Sequence, residues 1–250
     1  MKNRYIGMVL SAATIGEYDK RVVLLTRENG RFSAFARGAR RPRSSLSAVT
    51  EPFCFGEFYI FRGRDSYTIE EVKASNFFPE LRKDLDRLYM GLYLCEVADY
   101  FTREGMRAKV ELELLYRALL ALETTGAEIG SGRQTQSGSG TQSETGGTSA
   151  PKPVIRPELV RRIYELRMLA IAGYAPYYSD DDKAWHDDLG AWHLTDTAAY
   201  TVGQILTRAL PDLFTFAVSD GVLADLDRCI GAFFKRNTDK TFHSLDALEK

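Results

Sequence analysis

Two hydrophobic periods divide this 250-residue chain near residue 79. Before that point apolar residues come in short runs bounded by turn formers, the pattern of strands. Arg4–Leu10 reads as a first, mixed strand, and Arg21–Thr26 as a second around Val22-Val-Leu-Leu25. Asn29-Gly30 tolerates positive φ and marks a hairpin. On the return strand Phe32, Ala34 and Ala36 alternate with Ser33, Phe35 and Arg37. A fourth strand is predicted over Phe53–Phe61, a turn at Arg62-Gly-Arg-Asp65, and a fifth strand over Tyr67–Lys73. Five short strands with one interruption near Ser44–Val49 suit a small closed or partly closed barrel.

From Pro79 onward the period is helical. Leu81, Leu85, Leu88, Leu92 and Cys95 fall on one helical face, and Val110, Leu114, Ala118 and Leu122 repeat the pattern. Pro157 suits the first turn of a helix carrying Leu159, Ile163, Leu166 and Ala170, with Gly173 as its stop. Further helices are predicted around Thr197–Leu210 and after Ser219, the second with Val222, Leu226, Cys229 or Ile230, and Phe233 on its apolar face. One stretch fits neither period. Of the twenty residues Ser131–Ala150, 17 are Gly, Ser, Thr or Gln. Such a segment has too little apolar surface to offset its ordering entropy, so a disordered insertion is expected over residues 126–153. The expected architecture is α+β: a barrel domain over residues 1–79, then a helical domain over residues 80–250 that carries the insertion.

Composition narrows the class without naming a function. Hydrophobic residues make up 44% and charged residues 27%, as in ordinary globular chains. Cys54, Cys95 and Cys229 are an odd, widely set trio with no CxxC pair, which argues against a disulfide scaffold and a cysteine zinc site. No 18-residue apolar stretch exists to span a membrane. The N-terminus lacks the apolar core and cleavage site of a signal peptide, so no membrane partner and a cytoplasmic location are expected.

Charge changes the picture more. The net charge of −1 is a cancellation: residues 1–79 carry +5 and residues 80–250 carry −6. Between Lys20 and Arg43 stand eight basic residues against the single acid Glu28. Seven of the eight are Arg, whose planar fork suits phosphate oxygens and stacks on bases. A basic barrel with nearby Phe and Tyr is a platform for single-stranded nucleic acid. Arg37, Arg40, Arg41 and Arg43, where a strand leaves the barrel, are the first candidates for phosphate contacts. Lys20, Arg21, Arg27 and Arg31 come second, since some must turn aside or pair with Glu28. A solvated strand face with a basic loop is the competing explanation. The acidic counterpart is Asp180, Asp181, Asp182, Asp187 and Asp188 around Lys183, Trp185 and His186. Asp and His can bind metal, but consecutive carboxylates do not converge, and a solvated acidic loop is the preferred reading.

Motifs for catalysis are missing. The sequence has no GxxxxGK[ST], no GxGxxG after a strand, no HExxH and no GxSxG. Ser66 and Cys54 have no His nearby in sequence, and adjacent Glu70 and Glu71 face opposite sides of a strand. No enzyme activity is expected.

Several N-terminal motifs, taken together and in order, resemble the bacterial RecO family of recombination and repair mediators. They are Gly7-Met-Val-Leu10, Gly16-Glu-Tyr-Asp19, Leu24-Leu-Thr-Arg-Glu-Asn-Gly-Arg31, Ala36-Arg-Gly-Ala-Arg-Arg41, Ser45 and Pro52-Phe53. In the helical half, Leu81-Arg-Lys-Asp-Leu85, Leu166-Arg-Met-Leu169, Gly173-Tyr-Ala-Pro176 and Phe242-His-Ser-Leu245 are similar as well. The resemblance implies an OB-fold barrel and a helical domain, binding of single- and double-stranded DNA, and annealing of complementary strands. It implies RecR and the C-terminal tail of single-stranded-DNA-binding protein as partners in loading RecA, and with them association with the nucleoid. Many family members carry a four-cysteine zinc site just after the Gly-Tyr-x-Pro stretch. Here Tyr177-Tyr-Ser-Asp-Asp-Asp182 holds no cysteine, so no cofactor is expected, and Trp185 and Trp192 are expected to hold the loop by packing. The alternative class is an OB-fold RNA-binding or translation-associated module. A metal-dependent enzyme using the Asp/His loop comes third.

Overall fold

The computed structural model describes residues 2–124 and 155–248, and the insertion expected at 126–153 lies outside the described residues. Five strands form the N-terminal half: β1 (Lys2–Ile15), β2 (Asp19–Thr26), β3 (Gly30–Ala36), β4 (Phe55–Arg62) and β5 (Tyr67–Asn76). They close in the order β1-β2-β3-β5-β4, antiparallel except for the parallel β3–β5 seam, which is the OB topology. That seam is short, joining only Ala34 to Tyr67 and Phe35 to Thr68. β1 runs beyond the predicted Leu10 because Ser11–Ile15 pairs with Asp19–Val23, although the β1 side chains of this stretch are mostly exposed. Backbone pairing decides its length there, not burial.

Alternation sorts the barrel's two faces. Val9, Val22, Leu24, Phe32, Ala34, Phe58, Ile60 and Ile69 fill its interior. A bulge between Val9 and Ser11 lets Met8 and Leu10 be buried too, in the core shared with the helices. Leu25 on β2 and Phe53 before β4 join that core. Phe53 and Phe78 are completely buried at positive φ (71° and 48°) where the chain enters β4 and leaves β5. Burying each ring contributes roughly 1.5–3 kcal/mol, which offsets the roughly 1–3 kcal/mol cost of its backbone conformation.

Behind the barrel a 3-10 turn (Pro79–Lys83) leads to α1 (Leu85–Phe101) and α2 (Lys109–Thr124), followed by α3 (Pro157–Ile171). A small sheet of β6 (Tyr177–Ser179), β7 (Ala184–Asp187) and β8 (Gly190–Ala191) comes next. The chain continues through α4 (Asp196–Thr207), α5 (Asp220–Arg236) and α6 (His243–Leu248). α1 is the central helix, packed on α2, α3 and α6. The single face predicted for Leu81 through Cys95 is interrupted. Asp84 is extended and caps α1, its carboxylate accepting from Arg87 N at 2.9 Å, so the helical phase restarts at Leu85. Leu81 is therefore buried in the preceding turn while Leu85 is 64% exposed. Val110, in the first turn of α2, is likewise exposed, whereas Leu114, Ala118 and Leu122 are buried.

The expected acidic loop is instead the small sheet, with Asp180–Asp182 in its turn. Its tryptophans secure it: Trp185 Nε1 donates to Ala199 O and Trp192 Nε1 to Asp187 Oδ2, each at 2.8 Å, and Trp192 lies edge-on to Phe233. The three cysteines are buried at separate places, and burial pushes the Cys54 thiol up to about 12 and raises Cys95 and Cys229 as well. None of them reaches the small sheet as a set, so the residues here do not fit a four-cysteine zinc site.

Candidate nucleic-acid interface

On the barrel's outer surface β3 presents Arg31, Ser33, Phe35 and, just past its end, Arg37, while the alternate residues Phe32, Ala34 and Ala36 point inward. At about 3.3 Å per residue the outward row is roughly 20 Å long. The first strand-to-strand partners of this row lie on β2, where Arg21 stands opposite Phe35 and donates from Nη2 to Ser33 Oγ at 3.3 Å. The short parallel seam brings the β4–β5 turn against its other side. The result is a cleft of about 500 Å³ lined by Arg21, Arg31, Phe35, Arg62, Arg64 and Tyr67, among others. Arg62 lies over the Tyr67 ring, 5.7 Å from its centroid, and Tyr67 also packs on Phe32. Among the described residues Arg37, Arg43 and Arg64 make no ion pair, so their charge is available to an anion.

Two acids, Asp65 and Glu104, also line this cleft. Glu104 Oε1 accepts from the Tyr67 hydroxyl at 2.7 Å, which fixes the ring's edge. Burial first, and then this hydrogen bond to a carboxylate, raise the Tyr67 hydroxyl above its ordinary range. Glu104 comes from the α1–α2 connection, whose backbone meets the barrel at Gly30. A β-carbon at Gly30 would lie 2.1 Å from Arg103 O, and the residue has φ +64°, so both the turn and this approach require glycine.

The eight basic residues from Lys20 to Arg43 do not form one surface. Arg21 and Arg31 line the cleft, and Arg37 continues its row. Arg27 Nε pairs with Glu28 Oε1 at 3.1 Å, beside but outside the cleft. Lys20 is turned inward, its side chain only 12% exposed, with Nζ at 2.5 Å from Glu51 Oε1 and 3.2 Å from Ser47 O. The remaining residues, from Arg37 to Arg43, occupy a turn that is built more firmly than a loose loop. Asp19 Oδ1 accepts from Gly38 N at 2.7 Å, Ala39 is completely buried, and Arg40 N donates to Tyr18 O at 2.9 Å. The Arg40 guanidinium also donates to Glu17 O at 2.9 Å, so it pins the β1–β2 hairpin. Arg41 covers the Tyr18 ring at 5.2 Å. Arg41 and Arg43 remain exposed on this turn.

Reading the sequence alone missed Arg62, Arg64, Tyr67 and Glu104 as members of this site. The turn at Arg62–Asp65 was visible, and its two arginines were the available signal; strand pairing was needed to place it against β3.

A second concavity lies among the helices. A groove of about 670 Å³ is floored by Tyr93, Phe234, Phe242 and Leu245 and flanked by Arg161, Arg162, Lys235 and Lys240, with Asp227, Asp239 and Asp246 also on its walls. Phe242 packs edge-on against Tyr93, with centroids 5.4 Å apart, and tilted against Phe234 at 5.7 Å. Beneath it Glu165, wholly buried, accepts from Arg161 Nε at 2.8 Å, Arg162 Nη1 at 2.6 Å and the Tyr93 hydroxyl. Elsewhere, His186 Nε2 is 2.8 Å from Asp182 Oδ2, and Asp187 is occupied by Trp192 and Arg236. Among the described residues no three His, Cys, Asp or Glu side chains converge on a metal position, and no helix is long and apolar enough to cross a membrane.

Comparison with known proteins places these features in a lineage. A family model described as recombination protein O N terminal matches residues 1–78, the whole of the barrel. The DNA repair protein RecO of Acetivibrio thermocellus is 26% identical over 97% of this chain and 94% of its own length. That of Symbiobacterium thermophilum is 26% identical over 97% and 95%. The DNA repair protein RecO of Syntrophus aciditrophicus is 33% identical over 68% of this chain and 55% of its own length.

Proposed function

The chain belongs to the RecO family, and from that premise we propose that it is a DNA-binding mediator of recombination and repair that anneals complementary strands. The observation that carries this reading is the cleft across the barrel's parallel seam, where four arginines surround Phe35 and Tyr67. Arg21, Arg31, Arg62 and Arg64 bind phosphates, the rings of Phe35 and Tyr67 stack on bases, and Arg37, Arg41 and Arg43 extend the basic track toward the hairpin. Arg40 serves mainly to position that hairpin, and Lys20 to hold the β3–β4 connection through Glu51. Arg27 contributes to the surrounding positive field.

Annealing needs no covalent step. Holding two strands on one basic surface lowers the electrostatic cost of their encounter, and base pairing supplies the free energy. No metal or cofactor takes part. In the cell the protein acts with RecR to help load RecA onto DNA coated with single-stranded-DNA-binding protein. The acidic, apolar tail of that coating protein fits the helical groove, whose floor is aromatic and whose flanks carry Arg161, Lys235 and Lys240.

The test is fluorescence anisotropy of a labelled oligonucleotide across a salt series. With about four phosphates neutralised on a single strand, log K should fall with log salt at a slope near −3. Arg62→Ala with Arg64→Ala should flatten that slope by about 1.4 and weaken binding several-fold. A flat salt response, or a double variant that binds like the parent, overturns the placement. Equal or stronger binding of RNA, with no annealing of DNA, favours an RNA-binding module instead.

A further inference from the structure

The barrel cleft and the helical groove are joined through one carboxylate. Asp99, in the last turn of α1, accepts from Arg31 Nε on Oδ1 at 2.5 Å and pairs with Lys240 Nζ on Oδ2 at 3.5 Å. Arg31 lines the cleft on the barrel. Lys240 lines the groove, where it also lies over the Phe242 ring at 5.9 Å. Asp99 is itself only 25% exposed. Burial alone would raise its pKa, yet Arg31 and then Lys240 hold it below the ordinary carboxylate value of 3.8. Both cations therefore act on the same charge. The contact of Tyr67 with Glu104, also at this junction, does not reach the groove.

We propose that Asp99 is a shared counter-ion that sets the two surfaces against each other: an acidic ligand in the helical groove weakens DNA binding on the barrel, and DNA weakens the ligand. This rests on DNA occupying the barrel cleft. A carboxylate seated in the groove draws Lys240 away and leaves Asp99 to hold Arg31 alone, so Arg31 is less available to a phosphate. A phosphate on Arg31 leaves Asp99 to Lys240, with the reverse effect. With both ligands bound, a largely buried carboxylate has lost both partners and faces two anions. Linkage makes the penalty equal in the two directions. The pairs are partly exposed, so the coupling is modest, about two- to fivefold in Kd, and it fades as salt screens it. A protein that hands DNA from a coated to a bare state gains from such a device, because the tail is released as the strand is gripped.

The experiment measures the Kd of the full chain for a labelled oligonucleotide at low salt, in the parent, Lys240→Gln, Asp99→Asn and the double variant. Lys240→Gln is expected to raise Kd about twofold in the parent and to change nothing in the Asp99→Asn background. A saturating acidic pentapeptide with a free C-terminal carboxylate, Asp-Asp-Asp-Leu-Phe, should raise the parent's Kd two- to fivefold and leave that of Asp99→Asn unchanged. Equal effects of Lys240→Gln in both backgrounds would mean that Lys240 acts through the general field, and the proposal fails. It fails too if the peptide leaves the parent's Kd unmoved, or raises it equally in Asp99→Asn. Arg31→Ala separates the two levels. If it leaves DNA binding intact, the cleft itself is misplaced; if it weakens binding while the cycle shows no coupling, only the shared counter-ion is wrong.

Discussion

Glu165 shows how much a single side chain can organise. It has no exposed surface, yet it carries a charge that two arginines and a tyrosine hydroxyl satisfy from α1 and α3, while Arg162 reaches on to Asp227 of α5 at 2.6 Å. Burial together with that carboxylate keeps the Tyr93 hydroxyl protonated far above its usual range. Removing one member of a buried network leaves its partners uncompensated, which costs about 3–5 kcal/mol. Glu165→Ala should therefore lower the unfolding free energy by an amount in that range, read from urea denaturation followed by circular dichroism. A loss below about 1 kcal/mol would show the network to be dispensable, as surface pairs are. Nothing in the period of α3 marked Arg161, Arg162 or Glu165 as interior residues. A helix pattern places charges outside unless other charges meet them, and that meeting is set by α1 and α5.

At the scale of elements, the β1–β2 hairpin is the clearest case of a segment held from outside itself. Its β1 arm is mostly solvent-exposed beyond Leu10 and its tip residues Gly16–Tyr18 bury little. Arg40 closes it from the β3–β4 connection, through its backbone to Tyr18 O and its side chain to Glu17 O. Arg40→Ala should loosen the tip, seen as faster amide exchange over residues 16–18, with a loss of about 1 kcal/mol or less in global stability. Unchanged exchange there would mean that the backbone contacts suffice without the guanidinium. α1 carries the complementary lesson. Asp84 resets the helical phase, so an unbroken 3-4 spacing of leucines across the break misassigns Leu85. Capping chemistry outranks periodicity at a helix start.

For the whole molecule, barrel and bundle share one core, because Met8, Leu10, Leu25 and Phe53 pack into the same cluster as α1 and α2. Gly30 is the tightest point of that junction. Gly30→Ala combines a positive φ with a hard contact on Arg103 O, and should cost at least about 2 kcal/mol. Both tryptophans, Trp185 and Trp192, lie in the helical half. If the halves unfold as one unit, this barrel substitution shifts the midpoint reported by tryptophan emission. An unmoved tryptophan transition would mean that the halves unfold separately.

The strands of the barrel were legible because side-chain alternation and the Asn29-Gly30 turn are local properties of the chain. Charge placement was legible for the same reason: the excess between Lys20 and Arg43 needs no fold to be counted. Which of those charges face one cleft is a different matter. Arg62, Arg64 and Tyr67 stand about thirty residues downstream of β3 and reach it only through a two-residue parallel seam. Lys20 and Arg40, equal members of the basic run by composition, are drawn away by Glu51 and by the carbonyls of Gly16 and Glu17. Asp99 and Glu104 belong by sequence to the acidic half, yet they meet the basic barrel face because their helix end docks on Gly30. Local pattern determined the barrel strands, the main helices and the sign of each half's charge. Tertiary pairing decided which charges are free and which are already spoken for, since an ion pair depends on distance through space, and the sequence records only distance along the chain.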